Sequence, residues 1–221
     1  MPSGSSHVPS QTFPIPGLWY RRIIDLIKEA FESPISLWFH LLLFKLFQKH
    51  PYGEDNKRIY SEMYDSDIFL EEHDKVQRAS TGDPYCKQEK VVAALIFWSD
   101  ATHLATFGTA KLWLIYMLFG NLSKYIQCQP NLGVTKHLAY IPPFPNLLQD
   151  QLKGFHHKWK SQQRDILAFC HCKLMYEVWK LLLDDDFLHT FHSGMVVHCY
   201  NGIQQCVYPW IFTYSADYPE K

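Results

Sequence analysis

Two aspartates stand where apolar runs end. Asp100 follows the run Val91–Trp98, within Phe97-Trp-Ser-Asp-Ala-Thr-His-Leu-Ala-Thr106, and Asp217 follows Trp210–Tyr214, within Tyr214-Ser-Ala-Asp-Tyr-Pro-Glu-Lys221. A carboxylate carried on the end of each of two neighbouring strands is what a magnesium-dependent phosphoryl-transfer site uses, because Mg²⁺ takes one or two carboxylates together with phosphate oxygens of the substrate. His103, three residues beyond Asp100, is an auxiliary candidate that would orient the site or touch phosphate. Against these readings stands the commoner role of an aspartate after a strand, a turn former or a helix cap.

For the two acids to share a metal, the elements carrying them must lie side by side. Val91–Trp98 is a continuous apolar run suited to a strand buried on both faces. Leu112–Phe119, ended by Gly120-Asn121, and His137–Ile141, ended by Pro142-Pro143, read as two more strands, and their short connections favour an antiparallel meander. Leu167, Cys170, Leu174, Val178 and Leu181 follow the helical period and predict a long helix over 161–183, lying on one sheet face and terminated by the solvated Asp184-Asp185-Asp186. Met195–Tyr200 and Ile203–Tyr208 flank Asn201-Gly202, the signal of a hairpin closed by a type I′ turn. Trp210–Tyr214 continues as the next core strand. Three strands, a long helix, an inserted hairpin and a fourth strand are the opening of an α/β, RNase H-like mixed sheet. A right-handed crossover would then bring Asp100 and Asp217 to one sheet edge.

Upstream, Met1–Pro16 is rich in Ser and Pro and reads as a disordered tail. Residues 17–84 form an N-terminal helical extension. Trp19, Ile23, Ile27, Ala30 and Phe31 give one amphipathic helix closed by Ser33-Pro34, and a second runs over 66–79 with Ser66 or Asp67 as its cap. Thr81-Gly-Asp-Pro84 marks the boundary, leaving 85–221 as the main domain. Ile35–Phe47 is the most hydrophobic stretch, yet His40 and Lys45 interrupt it and it falls short of the roughly 20 apolar residues of a membrane span. It reads as a buried helix or strand pair, with no membrane anchor.

Composition narrows the rest. Lys and Arg number 21 against 22 Asp and Glu, so overall charge offers no argument for nucleic-acid binding. A local group, Lys153, His156, His157, Lys158, Lys160 and Arg164, reads as a solvated helix face or a DNA contact. Six cysteines without a signal peptide or scaffold spacing indicate a reducing intracellular compartment. Cys170-His171-Cys172 and the nearby His189, His192, His198 and Cys199 lack the spacing of a structural zinc site and read as buried cysteines among scattered histidines.

Ala94-Leu-Ile-Phe-Trp-Ser-Asp-Ala-Thr-His-Leu-Ala-Thr-Phe-Gly-Thr-Ala110 resembles the first catalytic block of fungal Plavaka-type transposases, relatives of the CACTA group. Gly120–Ile126, His137–Pro142, Val178–Asp184 and Ile211–Lys221 resemble further blocks of the same family in the same order. The resemblance implies a cut-and-paste DNA transposase with an RNase H-like core, an acidic triad and two divalent ions, Mg²⁺ or Mn²⁺. Asp100 would match the first acid and Asp217 the second. It further implies transposon ends and target DNA as partners, a homo-oligomer in the intact protein and a nuclear location. The chain ends at Lys221, before the family's third acid. The expectation is therefore an N-terminal fragment, inactive alone, with a non-catalytic remnant or domesticated interaction module as the alternative.

Overall fold

The computed structural model describes residues 14–49, 53, 55–79, 87–103, 111–155 and 159–216. The chain opens with β1 (Trp19–Tyr20) and α1 (Ile23–Glu32). Helix α1 places Ile23, Leu26, Ile27, Ala30 and Phe31 on a single stripe by their i, i+3, i+4 spacing, and all five are fully buried. Ser33 ends it, and Pro34 begins a 3₁₀ turn, Pro34–Trp38. A small two-stranded sheet follows, β2 (Leu46–Gln48) paired antiparallel with β3 (Lys57–Ile59). Contrary to the expectation of a buried Ile35–Phe47, this stretch is largely at the surface, with Leu37, Trp38, Leu42 and Phe47 exposed. Its apolar residues have no periodicity that would collect them on one face, so local hydrophobicity did not translate into burial.

Helix α2 (Asp67–Arg78) begins as foreseen at Ser66, whose hydroxyl accepts from the Phe69 amide at 3.2 Å. The expected boundary at 81–84 falls outside the described residues. The main sheet is built from β4 (Glu89–His103), β5 (Lys111–Phe119), β6 (Lys136–Ile141), β7 (Met195–His198) and β8 (Gln204–Ala216), with β1 on its far edge. Its order is β1-β6-β5-β4-β8-β7. Strands β4, β5 and β6 form the antiparallel meander, whereas β4 and β8 run parallel. Three helices lie between β6 and β7: α4 (Asn146–Phe155), α5 (Trp159–Leu182) and α6 (Asp185–Ser193), the short α3 (Lys124–Gln127) having preceded β6.

Strand alternation divides the core into two layers. Val91, Ala93, Leu95 and Phe97 of β4 point into the main cluster, with α1 and with Val178 and Leu182 from the end of α5. Val92 and Ala94 point the other way, against Phe69 and Val76 of α2 and Cys206 and Tyr208 of β8. Only the last turns of α5 reach the core; residues 160–165 are exposed.

Two details differ from expectation. The hairpin is no separate insertion, because its second strand runs on without a break as the core strand β8. Its turn is not type I′, which requires positive φ at Asn201 as well as Gly202. Among the described residues no non-glycine has positive φ, so in this turn only Gly202 has it, at +81°. The Gly202 amide donates to the Cys199 carbonyl, the Cys199 amide donates to the Ile203 carbonyl, and Asn201 Oδ1 accepts from the Ile203 amide. This is a three-residue loop with glycine in the left-handed position.

Candidate functional site

Asp100 lies in the last part of β4, past the region that α2 covers, and is exposed. Its register partner on β5 is Leu114, and by period two it shares a face with Trp98. The Trp98 ring stacks on its own partner Tyr116, centroids 5.0 Å apart. The Tyr116 hydroxyl is held above its ordinary pKa, chiefly by burial, then by the Asp100 carboxylate and by Tyr140. A protonated phenol therefore stands beside the acid.

On the other side of β4, β8 runs parallel in a register of Leu95 with Ile211, then Ile96 with Thr213, Trp98 with Ser215 and Ser99 with Ala216. The step from 211 to 213 is a β-bulge that leaves Phe212 as the extra residue. Phe212 turns toward the α2 layer, its ring 5.8 Å from Phe69. Past the bulge the alternation of β8 is reset, so Thr213 and Ser215 share the face of Trp98 and Asp100. Tyr214 then points to the main core. Its hydroxyl is 2.8 Å from Ser99 Oγ, and Trp179 of α5 meets both Tyr214 and Phe97 edge-on, at 5.1 and 5.3 Å. Helix α5 thus pins the ends of both strands from below. Ala216 is the last described residue of β8, and Asp217 lies outside the description. His103 closes β4 opposite Lys111; its side chain too lies outside the description.

The remaining candidates separate from this site. Asp184 does not terminate α5; it caps α6, accepting from the Phe187 amide at 2.8 Å. Arg22, at the start of α1, pairs with Asp184 at 3.0 Å and with Asp186, so the acids tie two helices together. Cys199 is buried as expected, but Cys170 is only half-buried and Cys172 is exposed. His171 is stacked on Trp113 at 5.1 Å and meets Phe144 at a tilt at 4.3 Å, and burial lowers its pKa. No group of three His, Cys, Asp or Glu able to hold a metal occurs among the described residues. Lys160 and Arg164 are exposed on α5, Lys153 pairs with Asp150 on α4, and His156 to Lys158 lie outside the description. No helix among the described residues is long and apolar enough to cross a membrane.

Reasoning on sequence missed the row of rings beside Asp100. Across β4, β5 and β6 run Trp98, Tyr116, His137 and Tyr140, with Tyr116 to His137 at 4.9 Å and His137 to Tyr140 at 5.6 Å. The aromatic content was visible, but their convergence depends on cross-strand register, which no local pattern announces.

Comparison with curated proteins and with solved structures finds no match. A family model described as Plavaka transposase matches residues 6–221. With nearly its whole length matched, the chain belongs to the Plavaka transposase family.

Proposed function

We propose that this chain carries part of an RNase H-like domain that performs metal-dependent phosphoryl transfer on DNA during cut-and-paste transposition. The order β6-β5-β4-β8, with the first strand central and the fourth parallel beside it, is the arrangement expected of that fold. The observation that carries the reading is the pairing of Ser99 with Ala216: each immediately precedes one of the two aspartates. The reading requires that Asp217, the residue after Ala216, meet Asp100, the residue after Ser99, at one site.

An exposed carboxylate at a strand end is the hard oxygen donor that Mg²⁺ or Mn²⁺ takes, and so fits such an ion. Asp100 and Asp217 would hold it, and when bound it supplies Lewis-acid activation of phosphoryl oxygens. The chain's own contribution is position. The parallel pairing sets the register of the two strand ends as far as Ser99 and Ala216, Trp179 locks those ends from the opposite face, and Tyr116 offers an O–H donor beside Asp100. His103 is an auxiliary phosphate contact. The substrate places the working protein in the nucleus. The near-neutral charge favours a second reading, a non-catalytic DNA or protein interaction module.

The test is strand cleavage of transposon-end DNA with Mg²⁺ or Mn²⁺ by an element transposase containing this chain. Asp100→Asn and Asp217→Asn are each expected to lower the rate by about a thousandfold, the scale of several kcal/mol of metal stabilisation. Cleavage unchanged in both variants removes the pair from the mechanism and leaves the interaction module.

A further inference from the structure

The sheet face that carries Asp100 is covered over only part of its length. Helix α2 closes it over Val92 and Ala94; further on, Leu114 beside Asp100 is buried, Trp98, Tyr116 and Tyr140 are half-buried and His137 is exposed. There the face presents one ring each from β4 and β5 and two from β6. Trp98, Tyr116 and His137 are successive register partners on β4, β5 and β6. A bulge between Ile115 and Tyr116, with Leu138 as the extra residue, puts His137 on the same face as Tyr140, and the two rings lie parallel. Trp19 of β1 pairs with Tyr140 and extends the row to the sheet edge, 73% exposed.

We propose that this row is a stacking platform for unpaired bases of a DNA strand whose backbone passes Asp100. The proposal rests on the phosphoryl-transfer reading for its choice of DNA, and adds to it the state of the substrate at the site, single-stranded over the platform. Every base has a π-face, so an open sheet surface bearing aromatic side chains on neighbouring strands holds single strands with little regard to sequence. A duplex hides its base faces, so rings can hold bases only where the strands are parted. Along this row the chain offers rings and one carboxylate, and its overall charge is balanced. An open cavity of about 380 Å³, lined by Tyr60, Ser61, Glu62, Met63, Ile96 and Gln127, adjoins the same face two residues before Trp98. A strand leaving the platform has somewhere to go.

The experiment is binding of the 221-residue chain to labelled oligothymidylate, to a mixed-sequence duplex and to oligouridylate, by fluorescence anisotropy in EDTA. The expected result is a preference for the DNA single strand, weakened about tenfold by Trp98→Ala and again by Tyr140→Ala, the loss of roughly one stacked base each. Trp98→Phe recovers most of the affinity, and Phe169→Ala, an exposed ring on α5, changes nothing. Thermal melting of each variant separates lost stacking from lost folding; should Tyr140→Ala not fold, Trp19→Ala, at the exposed end, replaces it. Equal binding by parent and folded ring variants overturns the proposal, as does a duplex bound as tightly as the single strand, or oligouridylate bound more tightly than oligothymidylate. Because metal is absent, this outcome is independent of the two carboxylates: intact strand binding with unaltered cleavage in the aspartate variants sinks the metal site and spares the platform.

Discussion

Tyr116 retains its proton for two reasons, burial first and the Asp100 carboxylate second, and the order sets a measurable consequence. Asp100→Asn is expected to move the Tyr116 titration downward, but only part of the way to the ordinary phenol value, because burial persists. Ultraviolet titration of the variant against the parent checks this, and an unmoved curve means that the carboxylate does not face the phenol. A second residue is held by geometry alone. Gly194 joins α6 to β7 with φ +70° and ψ 170°, a conformation close to glycine-only, and a Cβ there would come within 2.7 Å of Cys206 Sγ and of the Tyr208 ring. Gly194→Ala is expected to cost at least about 2 kcal/mol in denaturant unfolding. A change below half of that would mean that β7 shifts freely.

Helix α6 shows how an element can be present in the sequence and still be misread. Three consecutive aspartates before Phe187, Leu188 and Phe191 are a cap followed by a helical period, yet beside a long helix they read as its solvated end. The distinction turned on Phe187, which is buried, and on Arg22, which arrives from the other end of the chain. Asp184→Ala should lower stability by about 1 kcal/mol through loss of the cap, whereas Asp185→Ala should change it little. Equal effects in thermal melts would mean that charge rather than capping matters. Strands β4, β5 and β6 were legible because continuous apolar runs of strand length bounded by Gly and Pro have few other readings. Strand β8 was legible only in pieces, since nothing in its residues shows that the hairpin arm and the core strand are one element. The Ile35–Phe47 stretch failed for the opposite reason, apolar content without a face to bury.

Among the described residues, two imidazoles give the fold a pH dependence. Burial depresses His171, between Trp113 and Phe144, and His73 on α2. A depressed folded-state pKa means that the unfolded chain binds protons first, so stability is complete above the ordinary histidine pKa and falls as pH drops through it and toward the folded value. The melting temperature is expected to decline between pH 7 and 5, and His171→Gln should flatten that slope. A variant with the parent's slope would assign the dependence elsewhere. Asp100 was expected just past the end of its strand, whereas β4 runs on to His103 and includes it; its neighbours were not legible, because they are set by pairing between strands distant in sequence. The bulge at Phe212 makes chain length a determinant of chemistry. One residue added or removed between Ile211 and Ala216 exchanges the inward and outward sets of the strand end, burying Ser215 and expelling Tyr214, while a change of two preserves both. Descendants of this gene should therefore vary in that segment, if they vary at all, by even steps.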